Sequence, residues 1–174
     1  TAIGDKLKLI KELASDTKLR LDPNQSWTPE FCILVLNELD KNRIPIDYIE
    51  QPVNRFDYAG LATIRKNVSI PVMADESCFS MDDLLQLLDH NSIDIVNLKL
   101  LKNGGVTNVL KLAKVAQDAG VGVSIGSMME GDIGVEYAAR VALKVAPNQV
   151  HDLDASWWLK GSHLKYEYGN LVKK

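Results

Sequence analysis

Apolar positions along this chain fall into two alternating periods. Short β-branched or aliphatic runs, each closed by a polar residue, recur at KLRLD (18–22), DYIE (47–50), PVMAD (71–75), IVNLK (95–99), GVSIGS (122–127) and VHDLD (150–154). Runs of this length and composition read as buried strands. Between them, apolar residues return every three or four positions, the spacing that lines one face of a helix: TPEFCILVLNELDK, FDYAGLATIRKN, SMDDLLQLLDHN, GGVTNVLKLAKVAQDAG and GDIGVEYAARVALKV. Thr28 supplies a capping hydroxyl for the first of these, and Pro29 sits where a missing N–H costs nothing. The opening DKLKLIKELAS predicts a further helix ahead of the first strand.

The polar strand ends Asp22, Glu50, Asp75, Lys99, Ser127 and Asp154 follow one another at 28, 25, 24, 28 and 27 residues. Near-constant spacing with a helix in each interval predicts an α/β fold, a TIM-type (β/α) barrel whose strand C-termini form the active face. An open doubly wound sheet is the alternative. It ordinarily carries a Gly-rich phosphate loop, and Gly104-Gly105 with the spaced Gly122 and Gly126 do not make G-x-G-x-x-G. At roughly 26 residues per unit, eight units need about 211 residues, more than the 174 present. The expectation is therefore one domain over 1–174, an incomplete barrel of about six βα units whose first strands are missing at the N-terminus.

Composition narrows the partners. Lys and Arg total 20 against 23 Asp and Glu, a formal net charge of −3, and no basic stripe runs along any element; nucleic acid is not an expected partner. Apolar runs stop far short of the roughly 18 to 20 residues that span a bilayer, so no membrane partner is expected. The start TAIGDKLKLIKEL lacks a signal-peptide pattern, and Cys32 and Cys78 each lie in or beside an apolar segment. A reducing, cytoplasmic setting is expected.

Asp22, Glu50 and Asp75 close three successive strand runs, so in a parallel barrel they are expected to enter one mouth. Three like charges there repel. A hard divalent cation with oxygen ligands, Mg2+ by preference, neutralises them most simply; separate capping of three helices is the alternative. Lys99 closes the next run, where a long amine reaches across the mouth as a general base, or forms a structural ion pair with one of the acids. Asp152 and Asp154 flank Leu153 and would face the same side of a strand, suiting a cationic ligand, a second metal or a turn. Trp157 and Trp158 are expected to pack beneath the barrel end. His90, His151 and His163 show no ligand-like spacing and receive no role.

Taken together, LRLDPN, YIEQP, VMADES, VNLKL and GSMME resemble the barrel domain of the enolase superfamily, in its muconate lactonising enzyme-like group. The resemblance runs from about residue 5 to 160. It implies that Asp22, Glu50 and Asp75 are Mg2+ ligands and that Lys99 is a catalytic acid/base acting beside the ion. It implies support for the ligands from Asn24 and Glu76, although Glu76 also reads as a surface carboxylate. HDLD resembles the Asp-x-Asp motif of dipeptide epimerases, implying that Asp152 and Asp154 bind a dipeptide's terminal ammonium. Met128 and Met129 would line the substrate pocket, although position alone suits core packing equally.

Two departures stand out. Superfamily members carry a second lysine in a Lys-x-Lys motif on the second strand and an α+β capping domain, and neither has a counterpart here. Lys6-Leu7-Lys8 lies in the opening helix pattern and is rejected as that motif, and the tail KYEYGNLVKK stops where members usually continue. The implied activity is epimerisation of a dipeptide at the α-carbon of its C-terminal residue by the parent enzyme. The isolated chain is expected to be inactive and to need the missing N-terminal portion or to homo-oligomerise. Rival readings are muconate cycloisomerisation or o-succinylbenzoate synthesis within the superfamily, a Schiff base on Lys99 as in barrel aldolases, and a non-catalytic fragment associating through open strand edges.

Overall fold

The computed structural model describes residues 2–13, 17–167 and 169–172. The chain divides into two compact units, Thr1–Ser77 with Leu85–Asp94, and Cys78–Leu84 with Ile95–Lys174.

In the first unit, helix α1 (Ala2–Leu13) precedes strand β1 (Leu19–Leu21), followed by α2 (Pro29–Lys41), β2 (Ile46–Glu50), α3 (Tyr58–Asn67) and β3 (Val72–Ala74). Ala14 and Ser15, expected to extend α1, lie outside the described residues. Both strand pairs are parallel. Arg20 and Leu21 stand opposite Tyr48 and Ile49, after a register shift at Leu19, and Ile49 and Glu50 stand opposite Val72 and Met73. Helix α2 begins as its cap predicts: Thr28 Oγ1 accepts from Phe31 N–H at 3.3 Å, and Pro29 opens the first turn. Its buried residues Cys32, Leu36 and Leu39 recur at helical spacing and face the core, each leucine contributing roughly 1.5–3 kcal/mol. Burial pushes the Cys32 thiol up to about 12, so it packs as an apolar group. Asp94 fixes the start of β3: Oδ2 accepts from Val72 N–H at 2.9 Å while Oδ1 accepts from Arg65 Nε at 2.8 Å.

The second unit shares α4 (Met81–Asp89) with the first and continues through β4 (Ile95–Lys99), α5 (Val106–Asp118), β5 (Gly122–Gly126) and α6 (Asp132–Val145). Strands β4 and β5 are parallel and in register over five pairs, from Ile95 opposite Gly122 to Lys99 opposite Gly126. Their connecting helix buries Val109, Leu112, Ala113 and Ala116. Repeated strand–helix–parallel strand units make the fold α/β, of the TIM barrel type and incomplete, as the spacing predicts.

The expected sixth strand, VHDLD, does not form. One parallel bridge joins Gly126 to Asp152, with Asp152 N–H donating to Ile125 O at 3.2 Å and Ser127 N–H to Asp152 O at 2.8 Å. The next rung of a parallel ladder would send Ile125 N–H to the carbonyl of Val150. Instead His151 Nδ1 takes that proton donor at 3.1 Å, while its Nε2 lies 2.9 Å from Ala146 O. A side chain thus ends the ladder, and His151, which the sequence leaves without a role, has a structural one.

The tail also departs from expectation. Strands β6 (Lys165–Glu167) and β7 (Asn170–Val172) pair antiparallel as a hairpin whose turn includes Gly169, at φ +78°. Leu164 and Leu171 pack with Val135, Leu153 and Ala155 in a small second core. Trp157 and Trp158, in a 3-10 turn over Ala155–Trp158, are 61% and 69% exposed rather than packed beneath strands; Trp157 lies against Tyr166 with ring centroids 5.4 Å apart.

Asp132 ties the first turn of α6 to the loop before this hairpin. Its carboxylate accepts from Ser162 Oγ and from His163 N–H, each at 2.7 Å. These donors, the Ser162 hydroxyl foremost, hold its pKa below the ordinary value. A lowered folded-state pKa stabilises the fold fully above the unfolded value, near pH 4, and that stabilisation is lost as pH falls through the folded value. Urea midpoints followed from about pH 6 to about pH 2.5 are therefore expected to fall more steeply for the wild type than for Asp132→Asn.

Candidate active site

The predicted site residues divide between the units, with Asp22, Asn24, Glu50, Asp75 and Glu76 in the first and Lys99, Met128, Met129, Asp152 and Asp154 in the second.

In the first unit the register carries three carboxylates to one edge of the sheet. Asp22 follows Leu21 and so reaches the level of Glu50, while Asp75 lies two residues past Met73, the partner of Glu50. Side chains alternate along a strand, so these positions share a face. Glu50 and Asp75 are buried, at 8% and 7% exposure, whereas Asp22 is exposed. Asp22 Oδ1 accepts from Asn24 N–H at 2.9 Å. Asn24 adopts φ +48°, a left-handed conformation that asparagine tolerates in such turns, so the expected support of Asp22 by Asn24 is a backbone contact. Glu76 Oε1 accepts from Gln25 Nε2 at 3.1 Å, linking the loop after β3 to the loop after β1.

Three oxygen donors on neighbouring parallel strand ends suit a hard divalent cation in kind. Among the described residues, no group of three or more His, Cys, Asp or Glu side chains is drawn together closely enough to hold one.

Sequence reasoning passed over Gln51. It has no exposed surface and adopts φ +34°. Its Oε1 accepts from the N–H groups of Asp75 and Ser77, both at 3.0 Å, and its Nε2 donates to Ser77 Oγ at 2.8 Å and Val53 O at 3.0 Å. A lone polar residue between Glu50 and Pro52 gave no periodic signal; its burial depends on loops distant in sequence.

In the second unit, Lys99 ends β4 half-buried. Its N–H donates to Asn103 Oδ1 at 2.9 Å, and the buried Asn103 donates in turn from Nδ2 to Cys78 O and Phe79 O. The strand end is pinned while the amine is carried on a flexible stem. That stem lies over Gly126, where an added Cβ would stand 2.8 Å from Lys99 Cε and 2.7 Å from Asn97 Oδ1. A side chain at the end of β5 would therefore force the Lys99 stem and the Asn97 amide to shift. Met128 and Met129 follow β5 at 42% and 74% exposure, outside the core, and Met128 N–H donates to Glu130 Oε1 at 3.0 Å. Asp152 and Asp154, both exposed, line one cleft of about 740 Å3 together with Trp157 and Trp158. They reach it from irregular backbone beside the single bridge rather than from the expected strand.

With this geometry in view, likeness to known proteins decides the family. Residues 5–171 match the family model described as enolase C-terminal domain-like. The chain belongs to that family. It is 39% identical over 135 residues to the L-Ala-D/L-Glu epimerase of Clostridium acetobutylicum, which covers 78% of this chain and 38% of that one. The substrate-liganded L-Ala-D/L-Glu epimerase from Bacillus subtilis superposes with a TM-score of 0.90 at 31% identity, over 97% of this chain and 48% of that one. The dipeptide epimerase from Enterococcus faecalis, complexed with Mg and the dipeptide L-Leu-L-Tyr, gives a TM-score of 0.83 at 37% identity, over 92% and 46%. The chain spans less than half the length of these relatives. The resemblance to the enolase superfamily read from its motifs therefore holds.

If Gly126 leaves room for Lys99 in this enolase-family chain, Gly126→Ala should destabilise it by about 1–3 kcal/mol through overpacking. In a double-mutant cycle read by urea denaturation, part of that cost, about 0.5 kcal/mol or more, should disappear when Lys99→Ala is already present.

Proposed function

We propose that the protein carrying this chain epimerises a dipeptide at the α-carbon of its C-terminal residue by 1,1-proton transfer. The observation that carries the reading is the pair of exposed carboxylates, Asp152 and Asp154, lining one cleft in a chain whose similar relatives are named as dipeptide epimerases. Two negative charges in a cleft attract an ammonium group, and a dipeptide's free amino terminus supplies one.

Lys99 is assigned the proton transfer. Its neutral amine removes the α-proton from one face, and as an ammonium it returns a proton to that face when the reaction runs the other way. Removing a proton beside a carboxylate places a second negative charge on that group, giving an enediolate. Asp22, Glu50 and Asp75 are the residues that would hold Mg2+, whose fixed positive charge would offset that second charge. Asn24 orients the Asp22 carboxylate for this role. Pinning of the Lys99 backbone through Asn103 keeps the stem's origin fixed, and Gly126 leaves its path open. Inversion also requires an acid/base at the opposite face of the α-carbon, and this chain is assigned one, Lys99.

In the full-length enzyme, Lys99→Ala is expected to lower epimerisation by at least about 100-fold, read as solvent deuterium entering the α-position by NMR. Asp152→Asn is expected to raise the KM for a free dipeptide by about 10-fold while changing that for its N-acetylated counterpart much less. Equal losses on both substrates would overturn the ammonium assignment. The 174-residue chain alone is expected not to epimerise, and turnover measured with it would show that one acid/base from this chain does not limit the reaction.

A further inference from the structure

Asp152 and Asp154 sit on backbone that a regular sheet no longer holds, and each carbonyl from 152 to 154 is taken by a different residue. Asp152 O accepts from Ser127 N–H at 2.8 Å and from Ser127 Oγ at 3.3 Å, and Asp154 O accepts from Trp157 N–H at 2.8 Å. Between them, Leu153 O accepts from the Tyr166 hydroxyl at 2.6 Å. That donor comes from β6 of the tail hairpin, 13 positions further along the chain. The tail also holds Leu153 by its side chain, which packs in the small second core with Leu164 and Leu171. Tyr166, its ring against Trp157, lines the same cleft as the two aspartates. Burial raises the Tyr166 phenol above its usual value, so at neutral pH the hydroxyl is protonated and donates.

In a regular strand, alternation alone would send both carboxylates to one side. Asp154 instead has φ −91° and ψ −3°, a helical rather than an extended conformation, so its direction depends on the peptide that joins it to Leu153. A peptide unit is planar, and fixing its carbonyl fixes the rotations on either side, ψ of Leu153 and φ of Asp154. Those two rotations set the angle between the Asp152 and Asp154 side chains. Two carboxylates hold one ammonium most tightly when both are already turned toward it, because ordering them on binding lowers affinity. We propose that Tyr166 is a positioning residue whose hydroxyl keeps Asp152 and Asp154 in the relative direction that holds a substrate's terminal ammonium, making the tail hairpin part of the recognition site. This rests on reading those two carboxylates as the ammonium site.

The test compares, in the full-length enzyme, kcat/KM for the fastest free substrate in a panel of L-Ala-X dipeptides with that for its N-acetylated counterpart, read as solvent deuterium entering the α-position. Tyr166→Phe, which removes only the hydroxyl, is expected to lower the free-to-acetylated ratio by about 3- to 10-fold, through KM rather than kcat. Added to Asp152→Asn, the same substitution is expected to change the ratio by less than about 2-fold, since the pair it orders is already broken. Leu112→Ala, a cavity in the buried face of α5, is expected to lower the melting temperature and leave the ratio unchanged. If Tyr166→Phe does not fold, Tyr166→Met, which also lacks the hydroxyl, is expected to shift the ratio the same way. The positioning role is overturned if Tyr166→Phe lowers both substrates equally or neither, or if Leu112→Ala shifts the ratio as much. A ratio that falls in Asp152→Asn but not in Tyr166→Phe removes the positioning role alone. A ratio unmoved by Asp152→Asn, or a wild type that turns over no dipeptide of the panel, removes the ammonium reading and the positioning role with it.

Discussion

Parallel strand register is the constraint on which the candidate chemistry depends. Because side chains alternate along a strand, a slip of one residue exchanges the two faces of the sheet. In the first unit, Ile49 opposite Val72 and Glu50 opposite Met73 bury apolar side chains and, by the same pairing, bring Asp22, Glu50 and Asp75 to one edge. In the second, five in-register pairs end with Lys99 opposite Gly126. Packing selects the register, and the polar groups follow it. The interior that stabilises each unit therefore also sets where its acids and its amine emerge.

At those edges the ladder runs out and the backbone needs other partners, since a buried N–H without one is costly. Uncharged side chains supply much of what is needed. Gln51 serves the N–H groups of Asp75 and Ser77, Asn103 serves that of Lys99, and His151 serves that of Ile125. These partners fix the main chain beneath the charged side chains without drawing on their charge. Their placement gives residues next to the acids and the lysine a structural role although they carry no reactive group.

Much of this was legible in the amino-acid sequence. The Thr28 cap, the apolar spacing of α2 and the polar residues that close strands each depend on neighbours within a few positions, and the strand runs from Leu19 to Gly126 end within a residue of where the periodicity places them. The motifs at those ends also carried the family resemblance that the match over residues 5–171 supports. The tail hairpin left a weaker trace, an alternation around Gly169 too short to distinguish from a polar terminus.

What the tertiary structure alone decided involves contacts between residues distant along the chain. VHDLD has strand composition, yet His151 meets Ile125 across 26 positions and ends the ladder after one bridge. Gln51 reaches Asp75 across 24 positions, and nothing in its own segment marks it as buried. Trp157 and Trp158 look like core residues by type and remain exposed. Hydrophobic period and capping chemistry are local and are written in the order of residues. A hydrogen bond between distant segments exists only once packing brings them together, so its donors and acceptors are fixed by the fold.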